Sequence, residues 1–324
     1  MLLNFWEIST LTQNFVRLYG FNESKLREIF KALCLNNNQD IVSVFCEKTG
    51  VNLDEIDVSN DIEFIGKIVS TTIDDCNYIK KVGLVPLDVL LENDSPIKKH
   101  LKKYQIEIRP SEHRMIYRGK CFYIPLDGEN CEKCVFGEDQ CMFSNRLYKN
   151  SHCDYLKAIR PLSIKLYKYK SEIEMFLFGS TDAIIEYSNV KFFPEIFDTI
   201  ESFIRSFLKK DLNIAADWTR QKQYSYIITL SVKYNDISEV ISHFSGTDKR
   251  KSESIFLKYQ RFCCKVYNDI EQVPKCFWDN IWLIKTCLNI IFSINGSNEE
   301  IYAAIKHDVK IPYDKLKIDK IDFN

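Results

Sequence analysis

The chain has 324 residues, 45% hydrophobic and 27% charged, and this balance excludes a largely disordered protein because it supplies the apolar surface of a buried core. The formal net charge is −1, so any nucleic-acid contact has to be local; the basic runs 98–103 and 249–251 are interpreted as solvated surfaces. No apolar stretch approaches the ~20 residues that cross a bilayer, and the N-terminus lacks the features of a signal peptide. We therefore expect a cytoplasmic protein with no membrane segment, whose 12 cysteines are thiols or metal ligands rather than disulfides.

The first 60 residues predict a helical N-terminal unit. Apolar side chains recur at spacings of three and four residues from Phe15 to Leu33, which is the period of a helix with one buried face. A second helix is predicted from Asp40 to Lys48, with Gly50 placed to cap its C-terminal end. Residues 61–324 are predicted to form a single α+β domain.

That domain begins with a strand and continues with short elements. The β-branched and apolar segment 64–72 predicts a buried strand, and a short helix that ends at Gly83 follows it. The next predicted elements are helices at 86–92 and 95–104, and a hairpin of strands 106–108 and 115–124.

The C-terminal half predicts further strands and longer helices. Its clearest strand pattern is Tyr224–Tyr234, which is rich in β-branched and aromatic residues. The other predicted strands are 173–178, 183–187 and 300–306 with a last alternating segment up to Ile321, and the predicted helices are 195–209, 252–267 and 278–290.

Four cysteines lie in a loop-like insertion, residues 126–155. Cys131 and Cys134 have the C-x2-C spacing that allows one tight turn to present two thiolates to a single ion. Cys141 and Cys153 would complete a tetrahedral site, so a structural Zn²⁺ is one interpretation. Two other interpretations stay open, because the later cysteines are widely spaced: a loop of reduced thiols, and an iron–sulfur or redox site. The remaining cysteines are predicted to fill the core.

Two segments resemble ADP-ribosyltransferase toxins that modify nucleic acid. Segment 69–84 (VSTTIDDCNYIKKVGL) is similar to the family's strand with a polar motif, which leads into a short helix ending Ile-x-x-x-Gly-Leu. Segment 298–321 is similar to the strand that starts at the catalytic glutamate, followed by an Ile-Pro turn and the final strand. The two segments stand in the family's order and cover about a tenth of the chain. Residues 64–234 also resemble an uncharacterised bacterial family with the same opening.

The resemblance implies a fold and an activity. The fold would be a split, mixed or antiparallel sheet of the ADP-ribosyltransferase type, and the activity would be transfer of ADP-ribose from NAD to a nucleic-acid or protein acceptor, as a toxin or phage-defence effector. Glu300, or Glu299 beside it, would stabilise the oxocarbenium-like centre that forms when the glycosidic bond breaks. Only one of the two can face the cleft, because successive side chains of a strand point to opposite faces.

The same resemblance assigns residues to the NAD side of the site. Ser70, Thr71 and Thr72 would line it, and Gly83 would end the first helix. The family has a histidine near the position of Val69, so one of the neighbouring hydroxyl groups is expected to be the donor in this chain.

The residues alone are also compatible with a function of a different class. Glu300 is the kind of charge that begins an edge strand, and the sequence has no GxGxxG motif, P-loop or HExxH pair that would point to an enzyme independently. The alternative is a non-catalytic interaction protein whose zinc loop presents a binding surface.

Overall fold

The computed structural model describes residues 1–35, 39–58, 62–70, 73–126, 154–168, 172–179, 185, 192–221, 225–242, 253–292 and 300–321. Helices and antiparallel strands both run through these residues, so the α+β prediction is confirmed. None of the described helices has both the length and the apolar character that a membrane span requires.

The helices are numbered in chain order. They are α1 Ile8–Tyr19, α2 Ser24–Leu35, α3 Ile41–Thr49, α4 Ile73–Val82, α5 Leu87–Glu92, α6 Pro96–Lys103, α7 Asp154–Ser163, α8 Glu195–Leu208, α9 Ile214–Gln221, α10 Glu253–Tyr259 and α11 Lys275–Phe292. Short 3₁₀ turns occur at Pro110–Glu112, Tyr234–Asp236, Gln260–Phe262, Ile270–Gln272 and Tyr313–Lys315, and a π-helical turn occurs at Ile164–Lys168.

The strands form two sheets. They are β1 Leu2–Leu3, β2 Glu63–Ser70, β3 Ile106–Arg109, β4 Arg114–Tyr117, β5 Lys120–Tyr123, β6 Ile173–Phe178, β7 Ser225–Lys233, β8 Ile237–Ser242, β9 Ile301–Ile305 and β10 Leu316–Ile321. The larger sheet has the order β10-β7-β2-β6-β9-β8, and β1 pairs with β2 in parallel. Pairs β2–β6 and β8–β9 are antiparallel, and so is the smaller sheet β3-β4-β5.

The chain divides into two compact units. Unit 1 comprises Met1–Lys67, Glu174–Ile184 and Thr229–Ile305, and unit 2 comprises Ile68–Ile173, Ile185–Ile228 and Lys306–Asn324. The helices of the first 60 residues therefore share a unit with α11 and β9, which come much later in the chain.

The core of unit 1 is aromatic. Phe15, Tyr19, Phe21 and Phe45 place their ring centroids between 5.2 and 5.8 Å apart, mostly edge to face. Edge-to-face pairs are favoured because the positive rim of one ring meets the negative face of the next. Helix α11 is buried around most of its circumference, as expected for a central helix.

A polar network crosses this core at Asn280, which is 0% exposed. Its side-chain amide donates to the carbonyl oxygens of Leu53 at 2.9 Å and Ile56 at 2.8 Å. Its carbonyl oxygen accepts a 2.7 Å hydrogen bond from the hydroxyl of Tyr19. The network therefore ties α1 and the segment after α3 to α11.

Asp40 joins two helices of unit 1 and predicts a pH dependence. Its carboxylate caps α3 through the N–H of Ser43 at 2.9 Å and accepts from Lys258 and the hydroxyl of Tyr259, both at 2.8 Å. Burial alone would raise the pKa of Asp40, but these hydrogen bonds outweigh it and hold the pKa below its usual range. The folded state therefore binds its proton less readily than the unfolded state, so the stabilisation is present above the unfolded pKa of about 3.9 and is lost as the pH falls through the folded pKa.

We expect Asp40→Asn to lower the free energy of unfolding by about 1 kcal/mol at pH 7, because the amide keeps the cap but loses the charge. The gap to wild type should close as the pH falls below the unfolded pKa, in urea unfolding curves recorded from pH 7 to pH 3. A gap that stays constant over this range would contradict the assignment.

The core of unit 2 lies between α8 and the smaller sheet. Ile196, Phe197, Ile200, Phe203 and Ile204 follow the three- and four-residue spacing of an amphipathic helix and are at most 1% exposed. They belong to one cluster with residues of the smaller sheet, α6, α7 and α9.

His100 of α6 is buried inside this cluster. Its ring lies 5.2 Å from Phe197 and 5.1 Å from Trp218, and its Nε2 is 2.8 Å from the carbonyl oxygen of Ile214, the first residue of α9. Desolvation lowers the pKa of His100, so the neutral ring donates this bond at pH 7. His100 therefore has a packing role.

Two sequence predictions are corrected by local structure. The segment predicted as one strand, 115–124, contains a two-residue turn at Arg118 (φ 50°) and Gly119 (φ 76°), so β4 and β5 form their own hairpin. The helix predicted to reach Tyr267 ends at Tyr259 and continues only as a short 3₁₀ turn, because Asp54 accepts hydrogen bonds from the N–H groups of Cys264 and Lys265.

The remaining differences concern elements that the sequence did not predict and one predicted strand that the structure largely does not describe. Helices α7 and α9 and strands β1 and β8 were not predicted. The strand expected at 183–187 falls outside the described residues except for Ile185, which is helical.

Candidate functional site

The predicted catalytic glutamate, Glu300, immediately precedes strand β9. Ile301, Ala303 and Ile305 are 0–1% exposed and form the buried face of the strand. Side chains alternate along a strand, so Glu300 and Tyr302 lie together on the opposite face. Glu299, the other candidate, lies outside the described residues.

The Glu300 side chain is held between β9 and the end of β6. The hydroxyl of Tyr302 donates a hydrogen bond to its carboxylate. The Tyr302 ring in turn packs on Phe176 of β6, with the centroids 4.7 Å apart. A Cβ atom placed on Gly179 would lie 3.7 Å from Cγ of Glu300, so the chain that leaves β6 passes directly beside this side chain.

A cation on β2, the other neighbour of β6, lies against an indole ring from the segment before α1. Lys67 of β2 is the register partner of Phe176 and therefore lies on the same face of the sheet. Its Nζ is 3.9 Å from the ring centroid of Trp6, a distance at which the ammonium group is attracted by the aromatic face. Trp6 also packs on Phe178 of β6, with centroids 6.3 Å apart. Lys67, Trp6, Phe176, Phe178, Glu300 and Tyr302 are called the β2-β6-β9 site below.

The side chains of the β2-β6-β9 site suit a ligand that carries both charged groups and ring systems. It combines one carboxylate, one ammonium group and four aromatic rings, all within unit 1. The indole N–H of Trp6 is buried and donates to no acceptor among the residues that the structure describes. A buried donor without a partner is uncommon, and a bound ligand is one way in which it is satisfied.

The residues predicted to line the NAD side are not among the members of the β2-β6-β9 site. Ser70 is the last residue of β2, three positions beyond Lys67, and Thr71 and Thr72 fall outside the described residues. Gly83 ends α4 in a left-handed conformation (φ 80°), and its N–H donates to Ile79 at 2.8 Å. A Cβ atom there would be 2.3 Å from the carbonyl oxygen of Ile311, so glycine allows two backbone segments to approach.

This approach brings the two resembling segments together within unit 2. The N–H of Leu84 donates to the carbonyl oxygen of Ile311 at 2.9 Å, and the N–H of Ile311 donates back at 3.3 Å. The Gly83-Leu84 end of α4 is therefore paired with the Ile311-Pro312 turn that precedes β10.

The predicted metal ligands Cys131, Cys134, Cys141 and Cys153 all lie outside the described residues. Within the described ranges, no group of three or more His, Cys, Asp or Glu side chains is arranged to hold a metal ion. The prediction that the other cysteines fill the core is right for Cys46 and Cys287 but wrong for three exposed ones, Cys34, Cys121 and Cys264.

Sequence inspection missed most of the β2-β6-β9 site. Glu300 was found, but Lys67, Trp6 and Tyr302 were not. One signal was available: Lys67 is a single charge inside the apolar run from Phe64 to Val69, which is unusual for a strand that is buried on both faces. The partner of that charge could not be found, because Trp6 is far away in the sequence.

Comparisons of the chain with protein-family models, with curated proteins and with solved structures found no match. The function is therefore inferred from the side chains of the site and from the resemblance of the two short segments.

Proposed function

We propose that this protein is an ADP-ribosyltransferase that transfers ADP-ribose from NAD to a macromolecular acceptor, with Glu300 as the carboxylate at the reacting ribose. The observation that carries the proposal is the position of Glu300 immediately before β9, beside Tyr302 and on the side of the sheet that also holds Phe176 and Lys67. In the resembling family, the catalytic glutamate begins its strand.

The topology gives further support. In the larger sheet only β6 separates β2, the strand of the first resembling segment, from β9, the strand of the second. The pairing of Leu84 with Ile311 joins the same two segments a second time. The two resembling segments, more than two hundred residues apart in the chain, therefore contribute strands to one sheet, which supports the proposal.

The reaction assigns a task to the carboxylate. The bond between the ribose C1′ and the nicotinamide nitrogen breaks, and nicotinamide leaves with the electron pair. Positive charge then develops at C1′ and the ring oxygen, and a fixed carboxylate nearby stabilises it. An acceptor nucleophile forms the new bond to C1′ and releases its proton to solvent. The hydrogen bond from Tyr302 holds Glu300 in one orientation for this step.

Lys67 and Trp6 have a binding role in this proposal. An ammonium group is a point-charge partner for the pyrophosphate of NAD, and the indole ring keeps that group in place. Because Lys67 is the residue of β2 that is in register with Phe176, we assign it to the first strand's side of the site in addition to Ser70. The hydroxyl groups of Ser70, Thr71 and Thr72 remain predicted contacts.

The experiment is an NAD turnover assay with acceptors. Purified protein is incubated with NAD labelled in the adenylate phosphate, together with duplex DNA, RNA or lysate protein. Free nicotinamide is measured by chromatography and transferred label by gel. We expect release of nicotinamide and label on one acceptor class. Folded protein that releases no nicotinamide with any acceptor would overturn the proposal.

We further propose that Cys131, Cys134, Cys141 and Cys153 hold a structural Zn²⁺, on the basis of the C-x2-C spacing. About one zinc ion per chain is expected by elemental analysis of protein purified without added metal. The Cys131→Ser/Cys134→Ser variant should lose it, and the matched variant Cys34→Ser/Cys121→Ser, which changes two exposed thiols, should keep it. Metal-free wild-type protein would refute the zinc site.

A further inference from the structure

We propose that unit 2 carries a docking surface for the phosphate backbone of a nucleic acid. The surface consists of five exposed cationic side chains at the end of α6, in the β4–β5 turn, at the first residue of β5 and after α8. These residues, called the cationic surface below, are Lys102, Arg118, Lys120, Lys209 and Lys210.

The segment 96–120, which contains three members of the cationic surface, has a formal net charge very different from that of the whole chain. Residues 96–120 contain eight lysines and arginines and two glutamates, a formal net charge of +6, whereas the whole chain has −1. A local excess of this size in a nearly neutral protein creates a positive potential on one surface, which attracts polyanions and speeds their association.

Backbone and ring contacts bring the three chain segments together. The N–H of Gln105 donates to the carbonyl oxygen of Lys102, and the N–H of Arg118 donates to that of Gln105, both at 3.0 Å. The ring of Tyr117 has Cζ of Arg118 at 5.3 Å from its centroid and Nζ of Lys210 at 6.0 Å. One buried tyrosine therefore positions cations from the β4–β5 turn and from the end of α8.

The cationic surface is distinct from the ion-paired residues around it. Arg109 and Arg114 are paired with Glu112, Lys99 with Asp94, and Arg205 with Asp211. In the described part of the chain, no carboxylate lies within ion-pair distance of any of the five members. The ammonium group of Lys209 donates to the carbonyl oxygen of Ser206 at 2.6 Å, but a neutral acceptor does not cancel its charge. The charge of the five side chains is therefore available to an external anion.

The backbone under the surface has a fixed and uncommon conformation. Gln105 (φ 58°), Arg118 (φ 50°) and Lys209 (φ 55°) are three of the four non-glycine residues with positive φ among the described residues. Such conformations are unfavourable for residues other than glycine and persist only where the surroundings enforce them. The cations therefore project from rigid turns, which lowers the entropy lost when they bind phosphates.

Phosphate groups are a better match than an anionic lipid surface or an acidic protein. Proteins that bind a membrane interface insert apolar side chains beside their lysines, and protein interfaces have an apolar centre. Among the described residues, none of the exposed large hydrophobic side chains falls within 96–120 or 209–210. Non-specific binding to a nucleic-acid backbone is supplied almost entirely by cations that neutralise phosphates, and it needs no apolar contact.

The test is the salt dependence of binding to a fluorescent 24-base-pair DNA duplex and to a single-stranded RNA of equal length, followed by anisotropy. The variant Lys102→Gln/Arg118→Gln/Lys120→Gln removes three charges from the surface. The control Arg27→Gln/Lys31→Gln/Lys48→Gln removes three exposed charges from unit 1. For the duplex, the slope of log Kobs against log salt should become shallower by about 2–3 in the first variant and stay unchanged in the control.

Two further variants and two other anionic ligands complete the test. Lys120→Gln alone should reduce the slope by about 0.9, which serves if the triple variant does not fold. Glu300→Gln should bind as wild type does, so binding and the proposed transfer are judged separately. Absence of binding, or equal losses in the two triple variants, would overturn the proposal. So would binding to phosphatidylserine vesicles or polyglutamate without binding to the nucleic acids.

Discussion

Glu300→Gln is expected to lower the rate of nicotinamide release from NAD by a factor of about 10²–10³, the usual cost of removing one electrostatic group from a transition state. Glutamine has the same shape and can still accept the hydrogen bond from Tyr302. The loss therefore reports the negative charge and not the packing. It should appear in kcat more than in KM, because the charge at C1′ develops only as the glycosidic bond breaks.

The matched control is Glu23→Gln, an exposed carboxylate after α1 that should leave the rate unchanged. Tyr302→Phe is the companion variant: it frees the Glu300 carboxylate and should give a smaller loss of about tenfold. Lys67→Gln should instead raise KM for NAD if this side chain binds the pyrophosphate. Equal activity of Glu300→Gln and Glu23→Gln would remove Glu300 from the chemistry.

Asn280→Leu is expected to lower the free energy of unfolding by about 3–4 kcal/mol. The substitution leaves the carbonyl oxygens of Leu53 and Ile56 and the hydroxyl of Tyr19 without their partner in a site that is 0% exposed. Each buried polar group that loses its hydrogen bond costs about 1–3 kcal/mol. Leucine fills the space, so lost volume contributes little and the effect reports the polar network.

Urea unfolding followed by tryptophan fluorescence measures this loss. Asn93→Ala is the control, because the Asn93 amide donates one 2.8 Å hydrogen bond to Val89 but is exposed, and its loss should cost less than about 0.5 kcal/mol. Tyr19→Phe should cost about 1–2 kcal/mol, and adding it to Asn280→Leu should cost less than the sum. An Asn280→Leu variant as stable as Asn93→Ala would show that water reaches this network.

The sequence predicted the elements that depend on local chemistry. Helix α3 is an example: the predicted start at about Asp40 and the predicted C-terminal cap at Gly50 (φ 75°) are both found, and the Asp40 side chain caps the start. The β4–β5 turn was missed because Arg118 stands where this turn type usually has asparagine or aspartate. The early end of α10 was missed because the acceptor that draws Cys264 out of the helix is Asp54, which lies in a different part of the chain.

The same distinction between local and long-range determinants explains which parts of the candidate site were predicted. The face on which Glu300 lies follows from the alternation of side chains along β9, which is a local property. The contribution of Lys67 depends on the register between β2 and β6, and that of Trp6 on the position of the chain before α1. Neither position is encoded in neighbouring residues.

The three-segment composition of unit 1 has a consequence for how the chain reaches its native state. Its first helices bury their aromatic side chains against α11, which leaves the ribosome only after most of the chain has been made. Until then these rings are exposed, and closing so long a loop carries an entropic cost that precedes any gain from packing. We therefore expect the first helices to be prone to aggregation until α11 has been made.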